Sequence, residues 1–412
     1  MPPRTEDLRI LFFSLAVQKT NMAQKSGVKS ISTFARFLML VFIPLLLLSA
    51  QSAGGGQVTR PNSAGNPNPT FETLSGQAAA ARDAGHLDAA ITLYQRALKA
   101  RPAWDEGWWN LGSITYDQDK FSECAAAFQK LTALKPDLAS GWIMSGLCES
   151  ALHNYPAARR SLLQAERLKF DGPPELARAA RLQLALVLTK TGAFERAIVL
   201  LTELTRMDRK TPDISVAAGI AGLRKSWMPS EVPEADRDRV AKLGDAMATA
   251  MELDPKGAIS KFEAVLQENP SDPDIHFRFG ALLMQQEPER GIEEIRKTLA
   301  LDAGHIPALV GLTMIYLKNG DTQNALLYAE KAVRAAPGDF ATHVALGRAY
   351  LDSDDGVRAV EQLSLAVKLA PESADAHYSL ASAYSRAGRK EDAQREQEEF
   401  KRLRKLVDAS HP

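Results

Sequence analysis

The stretch DEGWWNLGSITYDQDKFSECAAAFQKLTALKP, residues 105–136, decides the fold. Its apolar and small residues stand at Trp108, Leu111, Gly112 and Tyr116, then at Phe121, Cys124, Phe128 and Leu131. Steps of three and four place each set on one face of a helix. The polar run Asp117–Lys120 divides them and suits a turn. Cys124 is small, so the two helices can approach closely there. Pro136 ends the second helix, because its ring obstructs the preceding turn and its nitrogen has no hydrogen to donate.

Outward from this stretch the pattern repeats. Ala90, Cys124 and Ala158 are 34 residues apart, and Gly291, Ala325, Ala359 and Ala393 keep the same step. The first copy carries Gly85, Leu87, Ala90, Tyr94, Ala97 and Pro102; a fourth carries Leu184, Gly192, Phe194, Ala197, Leu201 and Leu204. Later copies run Leu312–Pro337, Leu346–Pro371 and Leu380–Ala393. Gly85, Gly192, Gly320 and Gly388 fall between the helices of a pair, where a left-handed cap costs glycine least. A fixed period of this length means stacked copies of one unit rather than a single globule.

The pattern resembles the tetratricopeptide (TPR) repeat, with Trp–Leu–Gly–Tyr on the first helix and Ala–Phe–Ala–Pro on the second. The resemblance implies an all-α, TPR-type solenoid of helix hairpins, coiled as a right-handed superhelix, with about nine repeats over 71–405. Some copies depart from the pattern. The third has His153 for the usual glycine and Ser145 for the usual leucine. The fifth keeps Ala258, Phe262, Val265 and Pro270 after a poor first helix, and the sixth is one residue short between Pro273 and Gly291.

The expected organisation is a targeting segment at 1–53, a flexible linker at 54–70 and repeats 1–4 at 71–209. An irregular helical joint with a Pro-rich loop follows at 210–238, then repeats 5–9 with a capping helix at 239–405, and a tail at 406–412. Residues 37–49, FLMLVFIPLLLLS, follow Lys25, Lys29 and Arg36 and precede Ser49, Ala50, Ser52 and Ala53. Basic flank, apolar run and small-residue end describe a secretory signal. The run is shorter than the roughly 20 residues of a full span. Met22 offers an alternative start that would leave a conventional signal. The expected location is exported, periplasmic or secreted; the alternative is an uncleaved anchor holding the chain at the membrane, facing the periplasm. The Gly/Pro/Asn/Ser-rich stretch 54–70 reads as linker. In the joint, 213–227 reads as helix and 228–236 as loop, with Trp227 expected to plug a packed joint.

Lys plus Arg and Asp plus Glu number 50 each, so net charge is zero. That balance argues against a nucleic-acid or anionic-membrane binder, which needs a basic excess. The two cysteines, Cys124 and Cys148, lie on predicted helices; they read either as two small buried side chains or as a bridge between the second and third repeats. No phosphate loop, GxSxG, HExxH or CxxC motif is present, and no cofactor or metal is expected. His276, His343 and His377 occupy near-equivalent points on different first helices. Packed helices lie about 8–10 Å apart, too far for a shared zinc with ligands at about 2 Å. The acidic pairs Glu293–Glu294 and Asp354–Asp355 read as solvated faces or caps, and REQEEFKRLRK at 395–405 as the polar face of a terminal helix.

In the TPR family the first helices line the concave side, where peptides or helices dock. Carried over, this gives Trp109, Asn110, Tyr116, Ile143 and Leu147 early, and Phe277, Val310, Met314, Val344 and Tyr378 later, as candidate partner-binding residues. Relatives that grip acidic chaperone tails use a basic and asparagine clamp; at Ser75, Ala79, Asn110, Ser140 and Met144 only Asn110 fits. A more apolar or mixed groove is expected. The functional expectation is a non-catalytic exported scaffold for protein or peptide partners, touching membrane only through an uncleaved N-terminus. The alternatives are an envelope-complex or cytochrome assembly factor, and an enzyme with a site near 210–256.

Overall fold

The computed structural model describes residues 69–168, 172, 174–208 and 210–410. The signal and all but the last two residues of the linker lie outside them. Every regular element among the described residues is helical. Two compact units meet in the chain between Gln183 and Leu184.

In the N-terminal unit α1 (Phe71–Asp83) packs on α2 (Leu87–Ala100), α3 (Asp105–Asp117) on α4 (Phe121–Leu134), and α5 (Ala139–Ala151) on α6 (Tyr155–Arg167). Then α7 (Pro174–Lys190) leads through a tight turn into α8 (Phe194–Asp208). After α9 (Pro212–Gly222) come the pairs α10 (Arg237–Met251) with α11 (Pro255–Glu268), and α12 (Pro273–Leu283) with α13 (Pro288–Leu301). The last pairs are α14 (Ile306–Lys318) with α15 (Thr322–Ala335), α16 (Phe340–Asp352) with α17 (Gly356–Leu369), and α18 (Ala374–Arg386) with α19 (Lys390–Ser410). The final helix takes in the first five residues of the expected tail.

The small residues that set the period are where close approach requires them: Ala90, Cys124, Ala158, Ala197, Ala258, Ala325 and Ala359 are fully buried. Each long second helix stops two residues before its proline, at Ala100, Leu134, Glu268, Ala335 and Leu369. The cap between helix and proline leaves the helical region, as at Lys135 (φ −130°, ψ 73°) and Ala336 (φ −142°, ψ 76°), because the proline ring bars the helical conformation of its predecessor. The turn position inside the hairpins is left-handed except between α12 and α13, where the repeat is one residue short. Gly85, Gly192, Gly320 and Gly388 hold it in some repeats, and Asp119, His153, Leu253 and Asp354 in others. The frame dictates the backbone even where the sequence lacks glycine.

The joint departs from its expected form. Its helix ends at Gly222, not Trp227, since Arg224 turns left-handed (φ 50°). Ile214, Ala217, Ala218, Ile220 and Ala221 are all fully buried, so α9 is apolar nearly all round. A Cβ on Gly219 would lie 2.1 Å from the Val240 carbonyl oxygen, and one on Gly244 would lie 2.0 Å from that of Ser215. The α9 and α10 backbones therefore touch, and only glycine fits at the crossing. The loop after α9 is filled by Leu223 and Val232, while Trp227 is only half-buried. Lys190 pins that loop by donating to Glu231 at 2.5 Å.

Candidate functional site

The proline that follows a second helix leaves its own carbonyl oxygen without a helical partner. Six residues on, at the start of the next first helix, a ring N–H answers it. Trp108 Nε1 donates to Pro102 at 2.8 Å, and Trp142 to Pro136 at 2.9 Å. His276, His343 and His377 direct Nε2 at Pro270, Pro337 and Pro371, at 3.0, 2.8 and 3.1 Å. A carbonyl only accepts, so in each histidine Nε2 carries the hydrogen. Their Nδ1 atoms meet Glu294 (2.6 Å), Gln362 (2.9 Å) and Glu396 (2.5 Å) from the second helix of the same pair. The three imidazoles thus serve three separate clasps, and among the described residues no cluster of His, Cys, Asp and Glu could hold a metal ion. Glu294 is a correction: it is buried rather than solvated. Burial alone would raise its pKa, but hydrogen bonds from His276 and Lys297 outweigh that and hold it below the usual glutamate range.

The residue after each clasp begins the candidate docking row: Trp109, Ile143, Phe277, Val344 and Tyr378. The structure sorts these residues sharply. Asn110, Tyr116, Ile143, Leu147 and Phe277 are buried and do not offer themselves to a partner. The cause is neighbouring helices covering them. Arg82 of α1 donates to Asn110 Oδ1 at 2.8 Å, Tyr116 meets the Phe121 ring edge-on at 5.7 Å, and Phe277 lies 5.0 Å from the His305 ring. Trp109 is half-buried, edge-on to Phe128. Val310, Met314 and Val344 are half-buried, and Tyr378 is 57% exposed, leaning on Phe400 of the last helix. The accessible row therefore belongs mainly to the last three pairs.

Sequence reasoning missed a charged network in the C-terminal unit. Two residues after a clasp the repeats bury Asn110, Met144, Ala345 and Ser379; at the same place the sixth repeat buries Arg278. A buried guanidinium needs a carboxylate. Glu195 of α8 supplies it, with both oxygens accepting from Arg278 at 2.8 Å. Arg224 also donates to Glu195, at 3.0 Å, and lies 3.8 Å from Asp274. His305 Nε2 contacts Asp274 at 3.1 Å while its Nδ1 accepts the Ala308 amide. Burial pushes the Glu195 pKa up, but the two arginines outweigh it and hold the carboxyl below its usual range. The network ties α8, the end of α9, α12 and α14 together. Glu195 is held ionised and the His305 imidazole is engaged at both nitrogens, which suits support rather than proton transfer. The one signal in the sequence was an arginine at a frame position that elsewhere is small or apolar.

The cysteines are both buried and bridged. Cys124 on α4 and Cys148 on α5 have Cα atoms 5.9 Å apart and form a disulfide that joins the second repeat to the third.

Tetratricopeptide repeat models match residues 76–139, 146–213 and 344–398, and a second such model matches 306–339. Together they span just over half of the chain, leaving unmatched 214–305, which holds most of the joint and the two pairs directly after it. No curated protein matches the chain significantly. Similar solved structures include MamA of Desulfovibrio magneticus RS-1, at 23% identity and TM-score 0.36, over 42% of this chain and 96% of that one. Yeast Tom70 is another, at 12% identity and TM-score 0.35, over 81% of this chain and 85% of that one. The repeats, their period and the family models agree: this chain belongs to the tetratricopeptide repeat proteins.

Proposed function

We propose that the chain is a non-catalytic binding frame that holds protein or peptide partners along the first helices of its last repeats. The observation that carries this is the row Val310, Met314, Val344 and Tyr378. Clasps at His343 and His377 fix two of its three helices, and its apolar side chains remain accessible. Tyr378 has the amphipathic ring typical of interface anchors. The charges nearest the joint are spent on one another, which supports a supporting role for that region. The test is cross-linking of the native protein in its own cells. The pair Val344→Ser and Tyr378→Ala should lose the captured partner with helicity unchanged; undiminished capture would remove this face from the function.

We also propose that the frame is exported. The apolar run at 37–49 with its basic flank supports export, and so does the disulfide, since such bridges persist in oxidising compartments. N-terminal sequencing of the protein from its own cells should begin near Ser49–Ala53, and alkylation without reduction should label no thiol. A mature chain that starts at Met1 or Met22 with two free thiols would refute export by this route.

A further inference from the structure

A cleft of about 720 Å³ opens between the second helices of the sixth and seventh pairs, with Leu309 of α14 also in its lining. That volume lies within the range of ligand sites. Leu299, Leu309 and Tyr328 give it an apolar floor, and Arg296, Lys331 and Arg334 give it a rim. No acidic side chain lines it. Several exposed cations on neighbouring turns and repeats are matched: Lys297 reaches Glu293 and Glu294, Arg290 reaches Glu263 and Glu287, and Arg358 reaches Asp355. At the cleft the matching fails. Arg296 donates to the Tyr316 hydroxyl at 2.7 Å, Lys331 lies 5.3 Å from the Tyr328 ring centre, and only Arg334 has a carboxylate, Glu330, at 3.7 Å. The Tyr328 ring stacks on Tyr316 at 5.5 Å, so the floor is held rigid beneath the charges. In a chain of zero net charge this is a local surplus over an apolar surface.

We infer that this cleft is a second docking surface, one that takes acidic peptide segments bearing apolar side chains. The carboxylates satisfy the rim, and the apolar groups cover Leu299, Leu309 and Tyr328. Acidic residues alone would meet only exposed cations, whose attraction is weak and screened by salt. Apolar residues alone would leave the rim unmatched. The requirement for both is what separates this surface from a general anion binder.

Fluorescence anisotropy on the full chain tests it. The probe is a labelled pool of short peptides built from Glu, Asp, Leu and Phe. The controls are polyglutamate and a pool built from Lys, Arg, Leu and Phe. The acidic–apolar pool should bind, the controls should not, and Lys331→Glu with Arg334→Glu should weaken binding about tenfold or more. Both positions are exposed, so the fold survives the change; hydrogen exchange should show the bound pool protecting α13 and α15 of the unmodified protein. Tyr378→Ala should bind the pool normally, which separates this surface from the docking row. Equal binding of polyglutamate, undiminished binding by the double variant, or protection confined to other helices would each overturn the inference.

Discussion

The two units build the same hairpin from different chemistry. In the C-terminal unit most helices begin on polar caps: the side chains of Thr211, Asp254, Asp272, Asp321, Asp339, Asp355 and Ser373 each accept a backbone N–H of the first turn, while Asp236 and Glu287 do not. In the N-terminal unit Thr70 does this, but His86, Trp104, Lys120, Leu138 and Asn154 stand at cap positions and make no such bond. The clasps divide the same way. Indoles answer the proline carbonyl early, and imidazoles with second-helix partners answer it late. The disulfide and the indole clasps belong to one unit; most of the capping side chains, the imidazole clasps and the buried Arg278–Glu195 pair belong to the other. A period can thus be kept while the interactions that enforce it change, and the two halves should respond to different stresses.

Loss of the disulfide gives the largest expected contrast. Cys124→Ala with Cys148→Ala removes a bridge spanning 24 residues of sequence, worth about 3 kcal/mol on the loop-entropy account. Four of the five tryptophans, Trp104, Trp108, Trp109 and Trp142, lie in the N-terminal unit, so their fluorescence reports its unfolding. That transition should fall to lower denaturant, while hydrogen exchange in α12 to α18 stays unchanged. A shared drop in both probes would break the division drawn here.

Arg278→Ala should act on the other unit. The side chain is 8% exposed but Glu195 is 55% exposed, so the carboxylate regains water and the cost is reduced to about 2 kcal/mol. Arg278→Met keeps the stem and should cost less, which separates packing from charge. Acid sharpens the same point. Glu195, Asp245 and Glu294 are held below their usual range by cations and hydrogen bonds that outweigh burial. Their stabilisation is complete above the unfolded carboxylate values and is lost as pH falls through the depressed folded ones. Exchange protection in the C-terminal unit should therefore fall below about pH 4.5 before tryptophan fluorescence changes. The opposite order would show that the charges do not carry this unit.

The hairpins were legible in the sequence because their cause is local: a small residue where helices cross, a proline that stops one of them, and an apolar step of three and four. The left-handed turn at Leu253 was not legible from residue type, since the frame imposes it. The docking row was only half legible. Position in the repeat named Ile143, Leu147 and Phe277 alongside Val344 and Tyr378, but whether a neighbouring helix covers a position depends on packing that one repeat does not encode. Glu195 and Arg278 are 83 residues apart; only the odd placement of an arginine hinted at the pair, and nothing marked its partner. The basic cleft draws its rim from two repeats and has no motif of its own.

The smallest effect tests whether the division of caps is a choice of residues or of backbone. His86 is exposed, and its φ of −82° and ψ of 66° lie close to those of Asp321 (−92°, 73°) and Asp355 (−92°, 77°), which do cap their helices. The backbone of α2 is thus already shaped to receive a cap, and only the side chain is wrong. His86→Asp places a carboxylate where it can accept the amide three residues on and face the positive end of the helix. The N-terminal unit should gain about 1 kcal/mol, read as a shift of the tryptophan transition to higher denaturant. The gain should shrink as acid protonates the new carboxyl. Were the shift absent at neutral pH, the missing caps would reflect a difference in backbone that the dihedral angles do not capture, and the contrast between the units would have to rest on the disulfide and the ion pairs alone.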